Sequence, residues 1–142
     1  MPWRLNPPDE YQSPQFPALN VRTLYDLTEE RRYTLYYISD VVRFTVEWTL
    51  ITYGIFHLGA VCIAMATHGW NRSSWKYVWA VPVVYLVTAA VEALVAGSIT
   101  GAVVGAVYQA GYYEMNTWIP LVWGLINVLI LIVSSFTIQG GL

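Results

Sequence analysis

Residues 77–108 read YVWAVPVVYLVTAAVEALVAGSITGAVVGAVY, an apolar run that carries one charge, Glu92. As a straight helix at about 1.5 Å per residue it would extend roughly 48 Å, well beyond a hydrocarbon core of about 30 Å. Such a run is a membrane span that must tilt, protrude or break, and Pro82 permits a kink near its start. Similar apolar stretches lie on either side, at 48–66 and 118–138. With their flanking turns, spans are expected at about 41–66, 77–108 and 118–138. The fold class is therefore all-α: a three-span transmembrane helical bundle, preceded by a short N-terminal interfacial helix.

Composition agrees. The chain has 142 residues, 56% hydrophobic and only 11% charged, which is too apolar for a soluble domain of this length. Between residue 44 and the C-terminus the acidic and basic side chains are Glu47, Arg72, Lys76, Glu92 and Glu114. A net charge of -2 without a basic cluster gives no nucleic-acid footprint, so no nucleic-acid partner is expected. Cys62 stands alone, so no disulfide framework is expected, and it reads as a small buried apolar filler. The opening MPWRLNPPDE has no apolar core, so the first span is expected to act as its own targeting signal.

The second span carries its own packing pattern. Ala89, Ala93, Gly97, Gly101 and Gly105 recur every four residues and form a ridge of small side chains. Helices in lipid gain little by burying one apolar surface against another, so they associate through close backbone contact, which small ridges allow. Ser98, Ala102, Ala106 and Ala110 make a second, parallel ridge.

Each span holds one strongly polar residue near its middle: His57, Glu92 and Asn127. An ionised glutamate facing lipid is costly, so Glu92 is expected to be neutral or paired, with His57 or Asn127 as its partner. Asn127 reads as interhelical glue. A proton or ion site at Glu92 is the competing reading.

The flanks divide the chain further. Residues 1–27 are proline-rich and read as an extended tail. Thr28 is a suitable cap for a juxtamembrane amphipathic helix over 28–40, with Glu29 and Glu30 in its first turn. Asp40 is a candidate N-cap for the first span, and Arg43 and Glu47 are spaced to pair. Residues 139–142 are a short C-terminal tail. Trp70, Trp75 and Trp79 mark one membrane interface, and Tyr112, Tyr113 and Trp118 the other. The cations divide between the two sides, Arg31, Arg32 and Arg43 against Arg72 and Lys76, and leave the orientation open.

No catalytic constellation emerges: no serine with a nearby base, no histidine pair at metal-binding spacing and no phosphate loop. Neither enzymatic activity nor a catalytic, metal or cofactor site is expected.

From Trp48 onward the sequence resembles the transmembrane protein 170 family. The matching elements are Trp48 and Phe56-His57, then Gly97 with the small-residue run to Val107-Tyr108, and Glu114-Met115. From there the spacing holds without gaps through Gly124 and Asn127, a glutamine in the vertebrate relatives, to Ser135-Phe136. Glu92 falls where the family has a small residue, and the proline-rich tail has no counterpart. The resemblance implies a multi-pass protein of the endoplasmic reticulum and nuclear envelope that shapes those membranes. It also implies a non-enzymatic adaptor subunit beside a bridge-like lipid-transfer protein, at the end where lipid enters. The expected partners are thus membrane lipids and a larger protein. A small transporter or channel subunit built on Glu92, or an autonomous membrane-shaping protein, are the alternatives.

Overall fold

The computed structural model describes residues 7, 9–19, 33–67 and 75–139. Its elements, in chain order, are β1 (Thr34–Leu35), α1 (Ile38–Thr67), α2 (Trp75–Val78), α3 (Ala80–Ala110), β2 (Met115–Asn116) and α4 (Trp118–Gln139). Helices α1, α3 and α4 are each long and apolar enough to cross a membrane. The all-α, three-span bundle read from the sequence is the observed architecture.

Two boundaries differ from expectation, each for a local reason. The first is the span expected to begin at Tyr77, which is interrupted at Trp79, between α2 and α3. Pro82 has no N–H to offer the Val78 carbonyl and its ring crowds that oxygen, so a helix through both must kink or break, and here it breaks. The second is the helix expected at 28–40. Residues 28–32 lie outside the described residues, and the chain from residue 33 does not enter an α-helix until Ile38. Thr34 and Leu35 instead pair antiparallel with Asn116 and Met115. The Thr117 N–H extends this ladder to the Tyr33 carbonyl at 3.0 Å. Backbone groups that bond across to β2 are not free to bond along a helix, and the threonine and tyrosines of this segment favour extended backbone. Asp40 lies within the first turn of α1 rather than at its N-cap, and its carboxylate accepts from the Ser13 hydroxyl at 2.7 Å.

Helix α1 is the centre of the bundle, antiparallel to α3 and parallel to α4. The small ridge of α3 lies directly on it, with Ala89, Ala93, Gly97, Gly101 and Gly105 all buried. A Cβ on Gly97 would stand 2.9 Å from Val46 Cα, and one on Gly101 only 2.8 Å from Val42 Cα. At those positions the neighbour is backbone, which cannot swing aside. Gly124 of α4 makes the matching approach to α1, 3.1 Å from the Trp48 carbonyl carbon by the same measure. The parallel ridge of Ser98, Ala102, Ala106 and Ala110 is exposed and does not take part in this contact.

The proline-rich tail closes one end of the bundle. The Tyr11 hydroxyl donates to the Thr34 carbonyl at 2.9 Å, and burial pushes this phenol's pKa up, so it remains a donor. Phe16 packs on Phe44 and Trp48, and the Ala18 carbonyl accepts from the Thr117 hydroxyl at 2.8 Å. Beneath this strap lies a core of Leu35, Val41, Phe44, Val104 and Met115. Helix α3 ends just below, where the Tyr113 N–H bonds to the Tyr108 carbonyl and the Tyr112 N–H to that of Gln109. This Schellman termination places Tyr112 at φ 57°, a position usually held by glycine. Burial fades toward the opposite end. Every described residue of α1 from 62 to 67 and of α3 from 83 to 88 is exposed. Cys62 is among them, so it lies on an outer surface and is not the buried filler expected.

The glycines provide a graded test. Gly101→Leu should separate α1 from α3, with a loss of at least about 1–3 kcal/mol from overpacking. Gly54→Ala should be close to neutral, because nothing lies within 4 Å of the point where its Cβ would stand. Unfolding in detergent, followed for both variants, would contradict this packing if the two behaved alike.

Candidate functional site

The polar residues of the span are held by contacts between helices, and most of those contacts begin with threonine. Thr45, Thr49 and Thr52 follow one face of α1. Each hydroxyl donates back within its own helix: Thr45 to Val41 O at 2.7 Å, Thr49 to Thr45 O at 2.7 Å and Thr52 to Trp48 O at 3.0 Å. With its proton so used, a threonine can lie in an apolar contact at little penalty and still accept a hydrogen bond.

Asn127 joins three helices by this means. Its Nδ2 donates to Thr49 Oγ1 of α1 at 3.2 Å, and its Oδ1 accepts from Thr100 Oγ1 of α3 at 3.0 Å. The orientation of the amide follows from the donors available. Thr49 has already given its proton to Thr45 O, so it must face the NH₂ group, leaving the oxygen for Thr100. The Tyr53 hydroxyl donates to the Asn127 backbone carbonyl at 3.2 Å, a bond that ties α1 to the backbone of α4. The Gly124 carbonyl stands 3.3 Å from the Thr52 hydroxyl, farther than the Trp48 carbonyl that takes its single proton. Thr49 and Asn127 are buried, so water does not compete for these groups.

His57 and Glu92 meet one turn further along, and Asn127 is not their partner. His57 Nε2 of α1 stands 3.6 Å from Glu92 Oε2 of α3. The other ring nitrogen, Nδ1, lies 2.9 Å from the Tyr53 carbonyl. Tyr53 stacks beside the ring with centroids 6.1 Å apart, and Tyr85 stands edge-on at 6.4 Å. The Glu92 side chain is 39% exposed and that of His57 15%. Yet Glu92 Oε2 itself is buried and accepts no hydrogen bond. The side chain is thus partly exposed, while one carboxyl oxygen is turned inward.

The remaining expected residues lie at the ends. Trp79, Tyr112, Tyr113 and Trp118 are exposed at the two ends of α3 and the start of α4. Trp75 belongs to α2, and Trp70 lies outside the described residues. Arg43 and Glu47 pair at 3.0 Å on the outer face of α1.

Three comparisons with known proteins bear on this geometry. The family model for transmembrane protein 170A/B-like proteins matches residues 34–142. The chain belongs to this family. The match begins at β1, so it takes in the small sheet and all three spans and leaves out the proline-rich strap. YPR153W, an uncharacterized protein of Saccharomyces cerevisiae, is 34% identical over 135 residues, covering 94% of this chain and 91% of the yeast protein. No solved structure matches the chain significantly.

The contributions of Thr45, Thr52, Thr100 and Gly124 are not evident from one span at a time. The spacing of Thr45, Thr49 and Thr52 was a usable signal, since it places the hydroxyls along one helix face. The Asn127 junction should show energetic coupling. Thr100→Val and Asn127→Leu should each cost about 1 kcal/mol, and the double variant should cost less than their sum. Thr88→Val is the control, because among the described residues Thr88 bonds only to Val84 of its own helix, at 3.0 Å. Strict additivity of Thr100→Val with Asn127→Leu in detergent unfolding would mean that the two residues do not act as one junction.

Proposed function

We propose that this chain is a non-enzymatic membrane adaptor of the endoplasmic reticulum and the continuous nuclear envelope. It docks a larger protein and shapes the bilayer around it. The partner is a bridge-like lipid-transfer protein, engaged at the end where lipid enters. Family membership is the observation that carries this reading.

The distribution of packing lends it support. One end of the bundle is closed by the strap, the sheet and the threonine–asparagine contacts. Toward the other end α1 and α3 bury little against each other, and their apolar side chains are exposed. Within a bilayer those surfaces are available to lipid or to helices of a partner. Trp79 and Tyr77, both exposed, lie at that end and suit the headgroup level. Disturbed lipid packing beside such a surface lowers the barrier to extracting a lipid, which a transfer bridge requires.

The His57–Glu92 pair favours one other function, a small transporter subunit in which Glu92 changes protonation during its cycle. Glu92→Gln separates the two. An adaptor should tolerate the substitution, whereas a transporter subunit should lose its function while remaining folded and inserted.

The adaptor reading is tested by affinity purification in mild detergent, with identification of the proteins and lipids recovered. A very large, elongated partner is the expected result. Removing this chain should then lower lipid delivery between organelles without removing the partner. Undiminished transfer by the partner alone would overturn the adaptor role and leave membrane shaping, measured as the ratio of sheets to tubules in the reticulum.

A further inference from the structure

We propose that His57 and Glu92 form an uncharged proton-binding pair, in which a protonated Glu92 donates to His57 Nε2 and so fastens α1 to α3 beyond the glycine ridge. This pairing does not depend on the adaptor reading.

The ring's own contacts fix its tautomer. A backbone carbonyl only accepts, so the 2.9 Å contact between Nδ1 and Tyr53 O places a hydrogen on Nδ1. In a neutral imidazole the lone pair is then on Nε2, the atom that faces Glu92 Oε2 at 3.6 Å. Two lone pairs facing each other inside an apolar span repel. A single proton between them removes the repulsion and, once the two atoms close from 3.6 Å to hydrogen-bond distance, supplies a bond that joins the two helices.

That proton could sit in either of two ways, as imidazolium with carboxylate or as imidazole with carboxylic acid. The surroundings favour the second. An ion pair removed from water needs further hydrogen bonds to offset desolvation. Glu92 Oε2 is buried without one. Groups able to supply charge or hydrogen bonds are scarce on all three helices. In α1 the nearest charged residue, Glu47, lies ten positions before His57, about 15 Å along the helix; Tyr53 faces His57 with its ring, while its hydroxyl is committed to the Asn127 carbonyl. In α3, Tyr85 presents its ring edge-on and Glu92 is the sole charged residue. Helix α4 has no charged residue at all and meets this region through Val128, Leu131 and Ile132. Neither a second cation nor a second anion is therefore close by in these helices. Two neutral groups sharing a hydrogen bond are the less costly state.

The pair also accounts for a glutamate at a position where its outer face meets the bilayer. A protonated carboxyl there has its hydrogen bond satisfied internally, so it imposes no charge on the lipid. The α1–α3 contact thus has two parts, a backbone approach at Gly97 and Gly101 and a proton-mediated clasp one to two turns away.

The wild-type chain, reconstituted in phosphatidylcholine bilayers with carboxyl-¹³C glutamate and ¹⁵N histidine, provides the test by solid-state NMR. One glutamate resonance, assigned to Glu92 by its absence in Glu92→Gln, should keep a protonated shift from mildly acidic to mildly alkaline pH. His57 should remain neutral, with hydrogen on Nδ1. A carboxylate shift for Glu92 in this range, an imidazolium signal from His57 at neutral pH, or hydrogen on Nε2 of a neutral ring would each overturn the proposal. If Glu92→Gln fails to fold, sequential backbone correlations through Val91, Glu92 and Ala93 in uniformly ¹³C,¹⁵N-labelled wild type make the assignment.

Discussion

Backbone contact between α1 and α3 at Gly97 and Gly101 sets the geometry on which the other contacts depend. A Cβ at either glycine would meet an α1 Cα at under 3 Å, closer than real Cβ atoms stand to any neighbour. The two helices are therefore as near as helices with side chains elsewhere can be. Because they are antiparallel, this single approach aligns Thr49 with Gly97 and leaves Glu92 level with Tyr53 and His57. Helix α4 then needs only to place Gly124 against Trp48 for Asn127 to reach both Thr49 and Thr100. Dispersion contact brings the backbones together, and the hydrogen bonds select one register among the several that a smooth ridge would allow.

Threonine makes this combination workable. A serine or asparagine in its place would compete more strongly for backbone groups, and valine would leave Asn127 unsatisfied. Threonine has a methyl group to pack and a hydroxyl whose proton returns to its own helix. Three such residues on α1 produce an interface that is apolar in shape and still holds acceptors where α4 needs them. The outcome is one firmly fastened end of the bundle and a less mutually buried end, the asymmetry that a membrane adaptor can use.

Much of this was legible along the chain. Hydropathy and length located the spans, because a bilayer demands long apolar helices whatever their partners. The four-residue spacing from Ala89 to Gly105 identified the face of α3 that packs, since small residues in lipid have few other uses. Asn127 and Glu92 were marked by their cost in an apolar medium. What one sequence does not carry is which helix answers which. Nothing in the order of residues says that Asn127 pairs with Thr49 and Thr100 while Glu92 faces His57, because that choice follows from the three-dimensional register. The N-terminal boundary was missed for a related reason. Thr34 and Leu35 are extended because Met115 and Asn116, some eighty positions away, supply their hydrogen-bond partners. The break at Trp79, in contrast, was signalled by Pro82, which marks a kink near the start of this span.

The close α1–α3 approach is open to direct observation by solid-state NMR in bilayers, through ¹³C–¹³C correlations diluted with unlabelled chain so that contacts between molecules vanish. Correlations from Gly101 Cα to Val42 Cα and to Thr45 Cβ, undiminished per labelled chain on dilution, are the result that this packing requires. If Gly101 correlates only with lipid, or if its contacts with Val42 and Thr45 disappear on dilution, the ridge serves another surface and the bundle described here is not the one that forms.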